Sequence, residues 1–140
     1  RYNGAVIWEE RVYGRELTVA VLGDRALPAV ETTPAGKDFD YAAKYQKDGA
    51  REVCPAPLTE TEAAAAGELA LRVHKALGLT VYSRTDMILD KEGRFWCLEA
   101  NSLPGMTPTS FVPREAAAVG MGYGELCEEI VRLSLDIQRR

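Results

Sequence analysis

The chain has 140 residues, 46% of them hydrophobic, and a formal net charge of −4. That is one ordinary domain's worth of sequence, with enough apolar material for a packed core. It contains no apolar run near the ~18 residues a membrane-spanning helix needs, no secretory leader pattern and no basic stripe suited to nucleic acid.

Residues 5–9, "AVIWE", read as a short buried strand. The chain starts at Arg1 without a methionine and runs at once into that strand, as expected of a piece of a longer protein. "RVYGRE" follows as a polar connection. "ELTVAVLG" alternates and is rich in β-branched residues, which predicts a strand ended by Gly23. "DRALPAVETT" predicts a turn and a returning strand over 29–32. From 34 to 57 periodicity disappears, a stretch longer than compact domains usually carry without function. "TETEAAAAGELALRVHKALG" predicts an amphipathic helix, N-capped by Thr59 or Thr61 and stopped by Gly78. His74, near its C-terminus, is expected to answer the helix dipole rather than to act as a base.

Two strands are predicted over 79–90 and 94–101, around the turn "KEG". A loop, "SLPGMTPTSFVP", leads to a short helix at 114–119. A closing helix over 122–140 carries an apolar stripe of Leu126, Ile130, Val131, Leu133 and Ile137. Trp8 and Trp96 read as packing residues. Cys54, Cys97 and Cys127 have no metal-ligand spacing, so they read as reduced, buried thiols. The expected fold class is α+β: a mostly antiparallel sheet with helices packed on one face and the functional site on the other.

The hairpin holds the unusual chemistry. Side chains alternate along a strand, so Arg84 shares a face with Asp86, and Glu99 shares one with Asn101. An even-numbered loop places Asp86 opposite Glu99 and Arg84 opposite Asn101. An odd loop would separate the pairs, because a one-residue slip flips every side chain. The even loop is the expectation. Two facing carboxylates repel unless a positive charge lies between them. Arg84 could supply it, and the bland reading is a surface ion-pair ladder. Asp86, Glu99 and the Asn101 amide oxygen are also hard donors suited to Mg²⁺ with phosphate oxygens completing the octahedron. The apolar flank "FWCL" and the following "NSLPGMT", whose backbone N–H groups could face an anion, favour a ligand site.

The pattern R-x-D, then E-x-N, then P-G-M-T-x-x-S resembles the C-terminal part of the ATP-grasp ligases, and more narrowly the D-alanine–D-alanine ligase family. "DYAAKY", "CPAPL" and "NSLPGMTPTSFVP" extend the likeness over nearly the whole chain. The resemblance implies an ATP-grasp C-terminal subdomain over 17–140 with a lid at 34–57. Residues 1–16 would supply the last strand and adenine hinge of the central subdomain. It implies ATP-dependent joining of two D-alanines through an acyl phosphate, for peptidoglycan precursors in the bacterial cytoplasm. ATP and two Mg²⁺ ions, with Mn²⁺ possible, would be the cofactors.

By the same likeness Asp86, Glu99 and Asn101 match metal ligands, with Glu99 bridging. Arg84 matches the arginine that steadies the transferred phosphoryl group. The Gly105 N–H matches the oxyanion donor, Ser110 the holder of the second substrate's carboxylate, and Tyr45 the tyrosine facing that substrate. Glu9, Glu10, Arg11 and Val12 match the adenine hinge, Glu16 the ribose contact and Lys44 a phosphate contact. Ile88 and Leu98 match apolar walls of the adenine pocket, although Leu98 has the other strand parity and could simply be core. The implied partners are D-alanine, ATP, the N-terminal domains of the same protein and a second copy in a homodimer, with no nucleic acid and no membrane.

The sequence departs from the pattern at Phe39, Ala42, Arg11 and Phe111, none of them in the metal or phosphoryl positions. The alternatives are a D-alanine–D-lactate or D-alanine–D-serine ligase, or a nucleotide-binding module without catalysis. Tyr45 favours an amine nucleophile.

Overall fold

The computed structural model describes residues 4–34 and 50–137. In chain order the elements are β1 (Gly14–Leu22), β2 (Arg25–Ala26), β3 (Val30–Pro34), β4 (Ala50–Val53), α1 (Glu60–Ala76), β5 (Tyr82–Asp90), β6 (Phe95–Asn101), α2 (Phe111–Ala118) and α3 (Tyr123–Ile137). The sheet order is β4-β3-β1-β5-β6, with β2 paired to β1, and every pairing is antiparallel.

β1 lies at the centre because both of its faces can be buried. Leu17, Val19 and Val21 pack with Met87 and Leu89 of β5 against Ala66 and Ala70 of α1. Ala20 and Leu22, on the opposite parity, pack with Leu27 against Val112 and Ala116 of α2 and Leu126 of α3. The expected antiparallel sheet is therefore present, but its helices divide between the faces: α1 covers one, while α2 and α3 cover part of the other. Sequence pattern could not assign them, since an amphipathic stripe does not say which face of a sheet it meets.

Local chemistry explains the element ends. Thr59 caps α1 in a capping box: its hydroxyl accepts from the Glu62 N–H, and the Glu62 carboxylate accepts from the Thr59 N–H. Gly78, with φ +66°, follows the helix end in the left-handed region. α2 starts at Phe111, earlier than the expected 114, because Pro113 is tolerated in a first turn where N–H groups lack intrahelical partners. Within the stretch expected to be loop, β4 forms an edge strand on β3. The Arg114 guanidinium pairs with Glu52 and so ties β4 to α2.

Several expectations are corrected. Residues 5–9 form no strand, and Val6, Ile7 and Trp8 are exposed, Trp8 at 93%. An apolar segment that no neighbouring strand pairs lies outside the sheet. Cys97 is exposed on the edge strand β6, and Cys54 and Cys127 are only partly covered. In α3, Leu126 is buried, but Val131 and Ile137 are exposed. Trp96 does pack, with its indole N–H donating to Asp90.

His74 also differs from expectation. It is 2% exposed, and its Nδ1 lies 2.7 Å from the Ser83 hydroxyl on the α1 face of β5. Burial first, and the Lys75 charge second, push its pKa below the ordinary value. Burial therefore favours the neutral imidazole over a cation on the helix dipole. Unfolded chains take up the proton near pH ~6.5, so stability is full above that pH and is lost as pH falls below it. The thermal midpoint is expected to drop more between pH 7.5 and 5.5 in the native sequence than in His74→Gln. Equal drops in thermal melts would contradict this assignment.

Candidate active site

The hairpin turn sets the site's register. Its loop has three residues, Lys91, Glu92 and Gly93, because the Asp90 N–H donates to the Arg94 carbonyl. The even loop was the wrong expectation. Gly93, with φ +80°, supplies the left-handed residue such a turn needs. Asp90 organises it by accepting from the N–H groups of Glu92 and Arg94, the Arg94 guanidinium and the Trp96 indole. Burial alone would raise the Asp90 pKa, but these bonds hold it at about 2.

An odd loop alone would have put Asp86 opposite Leu98. Near the turn the pairs are Leu89 with Phe95, Ile88 with Trp96 and Met87 with Cys97. Beyond a register shift, Asp86 pairs with Glu99 and Arg84 with Asn101. Leu98 is the extra residue, a β-bulge that moves the far half of β6 by one position. The expected face-to-face pairing of Asp86 with Glu99 therefore exists, by a different route. Leu98 itself is 55% exposed rather than core.

Between the two carboxylates lies Arg84. Its Nε and Nη2 donate to Asp86 Oδ1 and Oδ2 at 3.0 and 2.8 Å, and Nη2 lies 3.8 Å from Glu99 Oε1. Thr18, directly across β1, adds a hydroxyl bond to Asp86 Oδ1 at 3.0 Å. Asp86 and Arg84 are about three-quarters covered, whereas Glu99 is largely exposed. Asn101 Oδ1 accepts from the Leu103 N–H at 3.0 Å. The guanidinium thus stands where a cation between the carboxylates would stand.

The donor set also fits a divalent ion. Among the described residues no three His, Cys, Asp or Glu side chains form a metal cluster. Two carboxylates and an amide oxygen with a second lone pair match the sparse protein ligation that Mg²⁺ accepts when phosphates and waters supply the rest.

Along the same face, Arg11, Val12, Glu16 and Ile88 line an open groove of about 570 Å³ between the start of β1 and β3. Glu10 joins Arg11 and Val12 in an adjoining groove of about 520 Å³ beside Asp90 and Trp96. Glu9 is exposed just before them. Leu98 lines neither groove. Arg11 stacks on Tyr13, 4.7 Å from the ring centroid. Lys44 and Tyr45 lie outside the described residues.

The loop after β6 places the remaining pair. A Cβ on Gly105 would come within 2.9 Å of the Ser110 hydroxyl, so only glycine allows that approach without moving it. Ser110 is the N-cap residue of α2, but its hydroxyl makes no capping bond. Its hydroxyl accepts from the Thr107 N–H at 3.1 Å and lies 2.8 Å from the Thr107 hydroxyl. Sequence reasoning missed Thr18 and Thr107. Thr18 has the right parity in β1, but its position opposite Asp86 depends on the pairing of strands far apart in sequence.

The family model for the D-ala D-ala ligase C-terminus matches residues 1–132. The chain belongs to this family. It is 48% identical over 131 residues to a D-alanine–D-alanine ligase of Desulfovibrio desulfuricans, covering 93% of this chain and 43% of that protein. A namesake from Oleidesulfovibrio alaskensis is 50% identical over 134 residues, covering 95% and 44%. The structure matches the ATP-complexed D-alanine–D-alanine ligase of Bacillus anthracis with a TM-score of 0.80 at 33% identity, over 94% of this chain and 43% of that one. It also matches the VanG D-Ala:D-Ser ligase of Enterococcus faecalis with a TM-score of 0.78 at 28% identity, over 89% and 37%. The chain thus spans less than half the length of these relatives.

Because Leu98 compensates an odd turn, deleting it is expected to leave Glu99 opposite Asp86 in a regular ladder. Adding one residue after it turns Glu99 to the α1 face. Cross-strand backbone NOEs between residues 86 and 99 check both variants, and their loss on the deletion would contradict this register.

Proposed function

We propose that the chain is the C-terminal part of an ATP-dependent D-alanine–D-alanine ligase, which makes D-alanyl-D-alanine for peptidoglycan precursors in the bacterial cytoplasm. The observation that carries this reading is the Asp86–Glu99 pair, facing across β5 and β6 with Arg84 between them, on the strand whose Ile88, two residues on, lines the groove at the start of β1. No helix among the described residues is long and apolar enough to cross a membrane.

Arg11, Val12 and Ile88 would form walls for the nucleotide base, joined by Glu9 and Glu10 at the hinge, and Glu16 would accept from the ribose. Leu98 has no place in that wall in this structure. Asp86, Glu99 and Asn101 would hold Mg²⁺, two ions in all, and Mn²⁺ would satisfy the same oxygen donors. These ions neutralise phosphate charge when bound. Lys44 would reach the phosphates from the part of the 34–57 stretch that precedes β4, and that part would act as the lid.

The reaction transfers the terminal phosphoryl group of ATP to the carboxylate of one D-alanine. The amine of the second then attacks the acyl phosphate, and phosphate leaves. Arg84 would steady the charge that develops on the transferred group, and the Gly105 N–H would receive the oxyanion. Ser110 would hold the second carboxylate, with Tyr45 facing the same substrate. The upstream domains would supply the rest of the phosphate grip and the first substrate's site. We assign the complete protein as a homodimer.

The likeness to a D-Ala:D-Ser ligase favours a second reading, in which D-serine is the acceptor. In a polypeptide that includes the upstream part found in the relatives, phosphate release from Mg-ATP is expected with D-alanine alone. The 140-residue chain by itself is expected to release almost none. Glu99→Gln should lower turnover by at least about 100-fold, the scale for losing one stabiliser of transition-state charge, with an unchanged circular dichroism spectrum. Release that requires D-serine or D-lactate would replace the main reading, and unchanged turnover in Glu99→Gln would remove the metal assignment.

A further inference from the structure

Glu115 is fully buried in α2, far along the chain from the ligand-bearing hairpin. Its Oε2 accepts from the Ala20 N–H at 2.6 Å. Ala20 is the residue directly opposite Arg84 across β1 and β5. Its carbonyl is taken by the Leu27 N–H where the chain swings out between β2 and β3, and Glu115 fills the gap that this detour leaves at its N–H. The second oxygen, Oε1, is buried without a hydrogen-bond partner. A buried polar oxygen left without a partner is costly, so a fold would be expected to use it.

Two further contacts point to the user. Phe111 lies one helical turn before Glu115 on the same side of α2. Arg84 packs over the Phe111 ring, 5.8 Å from its centroid. Arg114, which also lies over Phe111, is already committed to Glu52. Arg84 is committed to Asp86 and approaches Glu99, the two carboxylates that would pass to a cation.

We propose that Glu115 is a positioning residue for Arg84: when a divalent cation occupies Asp86 and Glu99, the displaced guanidinium is received by Glu115 Oε1 against the Phe111 ring. The idea rests on the metal reading above. A guanidinium has five N–H donors in a fixed plane, so one edge can engage Glu115 while another faces the phosphoryl group. Burial pushes the Glu115 carboxyl well above its ordinary range; the Ala20 N–H and then the Arg84 charge oppose that push. A guanidinium drawn closer favours the ionised form further. Neither Gln nor a lone backbone contact can do the same. An amide has one acceptor oxygen and no charge, whereas Ala20 and Arg84 would each take a separate oxygen of an ionised carboxylate.

The test is a double-mutant cycle in the complete ligase polypeptide, with Mn²⁺ in the presence of ADP as the probe and free Mn²⁺ counted by electron paramagnetic resonance. Glu115→Gln is expected to weaken Mn²⁺ binding about fivefold, the scale of coupling between contacting groups. In an Arg84→Met background the same change is expected to have no effect. An equal loss in both backgrounds, or no loss in the native background, would overturn the proposal, since a direct charge effect or a purely structural role would not pass through Arg84. Phe111→Leu provides a second variant that keeps the Ala20 bond, and it should reproduce the Arg84-dependent loss. Should the native protein bind Mn²⁺ no better than Asp86→Asn, the metal reading itself falls, and the proposal with it.

Discussion

Two carboxylates facing each other across adjacent strands cannot stay together without a positive charge. That requirement governs the site face of this sheet. Here Arg84 meets it from the same strand as Asp86, two residues away, with a forked pair of hydrogen bonds and a longer approach to Glu99. The coverage is uneven: Asp86 and Arg84 are mostly shielded from solvent, whereas Glu99 projects from the edge strand. Such an arrangement is poised for exchange. In the proposed reading, a divalent cation arriving with phosphate oxygens would offer the carboxylates a denser charge and would leave the guanidinium free to face the transferred group.

The rest of the fold keeps that triad aligned. β1 supplies Thr18 behind Asp86 and Ala20 behind Arg84, and its other parity is locked into the α1 core. The small Ala20 side chain leaves room for α2, which brings Phe111 under the guanidinium and Glu115 to the Ala20 N–H. At the opposite end, Asp90 gathers donors from the turn and from Trp96, so β6 leaves the turn in a defined register. The Leu98 bulge then shifts that register to bring Glu99 into line. A bulge next to a ligand site re-aims side chains in this way.

Much of this was legible from residues alone. The alternation of "ELTVAVLG", the N-cap choice of Thr59 or Thr61 and the glycine stops marked their elements, since each is a local signal. R-x-D and E-x-N marked the chemistry, because carboxylates and an arginine are costly within an otherwise apolar hairpin. What escaped was non-local. The turn length and the bulge are two errors of one residue that cancel, so the right pairing was reached from the wrong loop. The division of helices between faces, the exposure of Val6, Ile7 and Trp8, and the burial of His74 and Glu115 all depend on what packs where. Strand pattern and family likeness are silent on those points. Lys44 and Tyr45 were singled out by likeness alone and lie outside the described residues.

The most direct test is a crystal structure of the complete polypeptide with Mn²⁺ and a non-hydrolysable ATP analogue, with the metal located by anomalous scattering. The account predicts an anomalous peak at about 2.0–2.4 Å from oxygens of both Asp86 and Glu99, within the range for oxygen ligands of small divalent ions, and an Arg84 guanidinium no longer forked onto Asp86. A peak elsewhere, with the Arg84–Asp86 fork intact beside bound nucleotide, would contradict it.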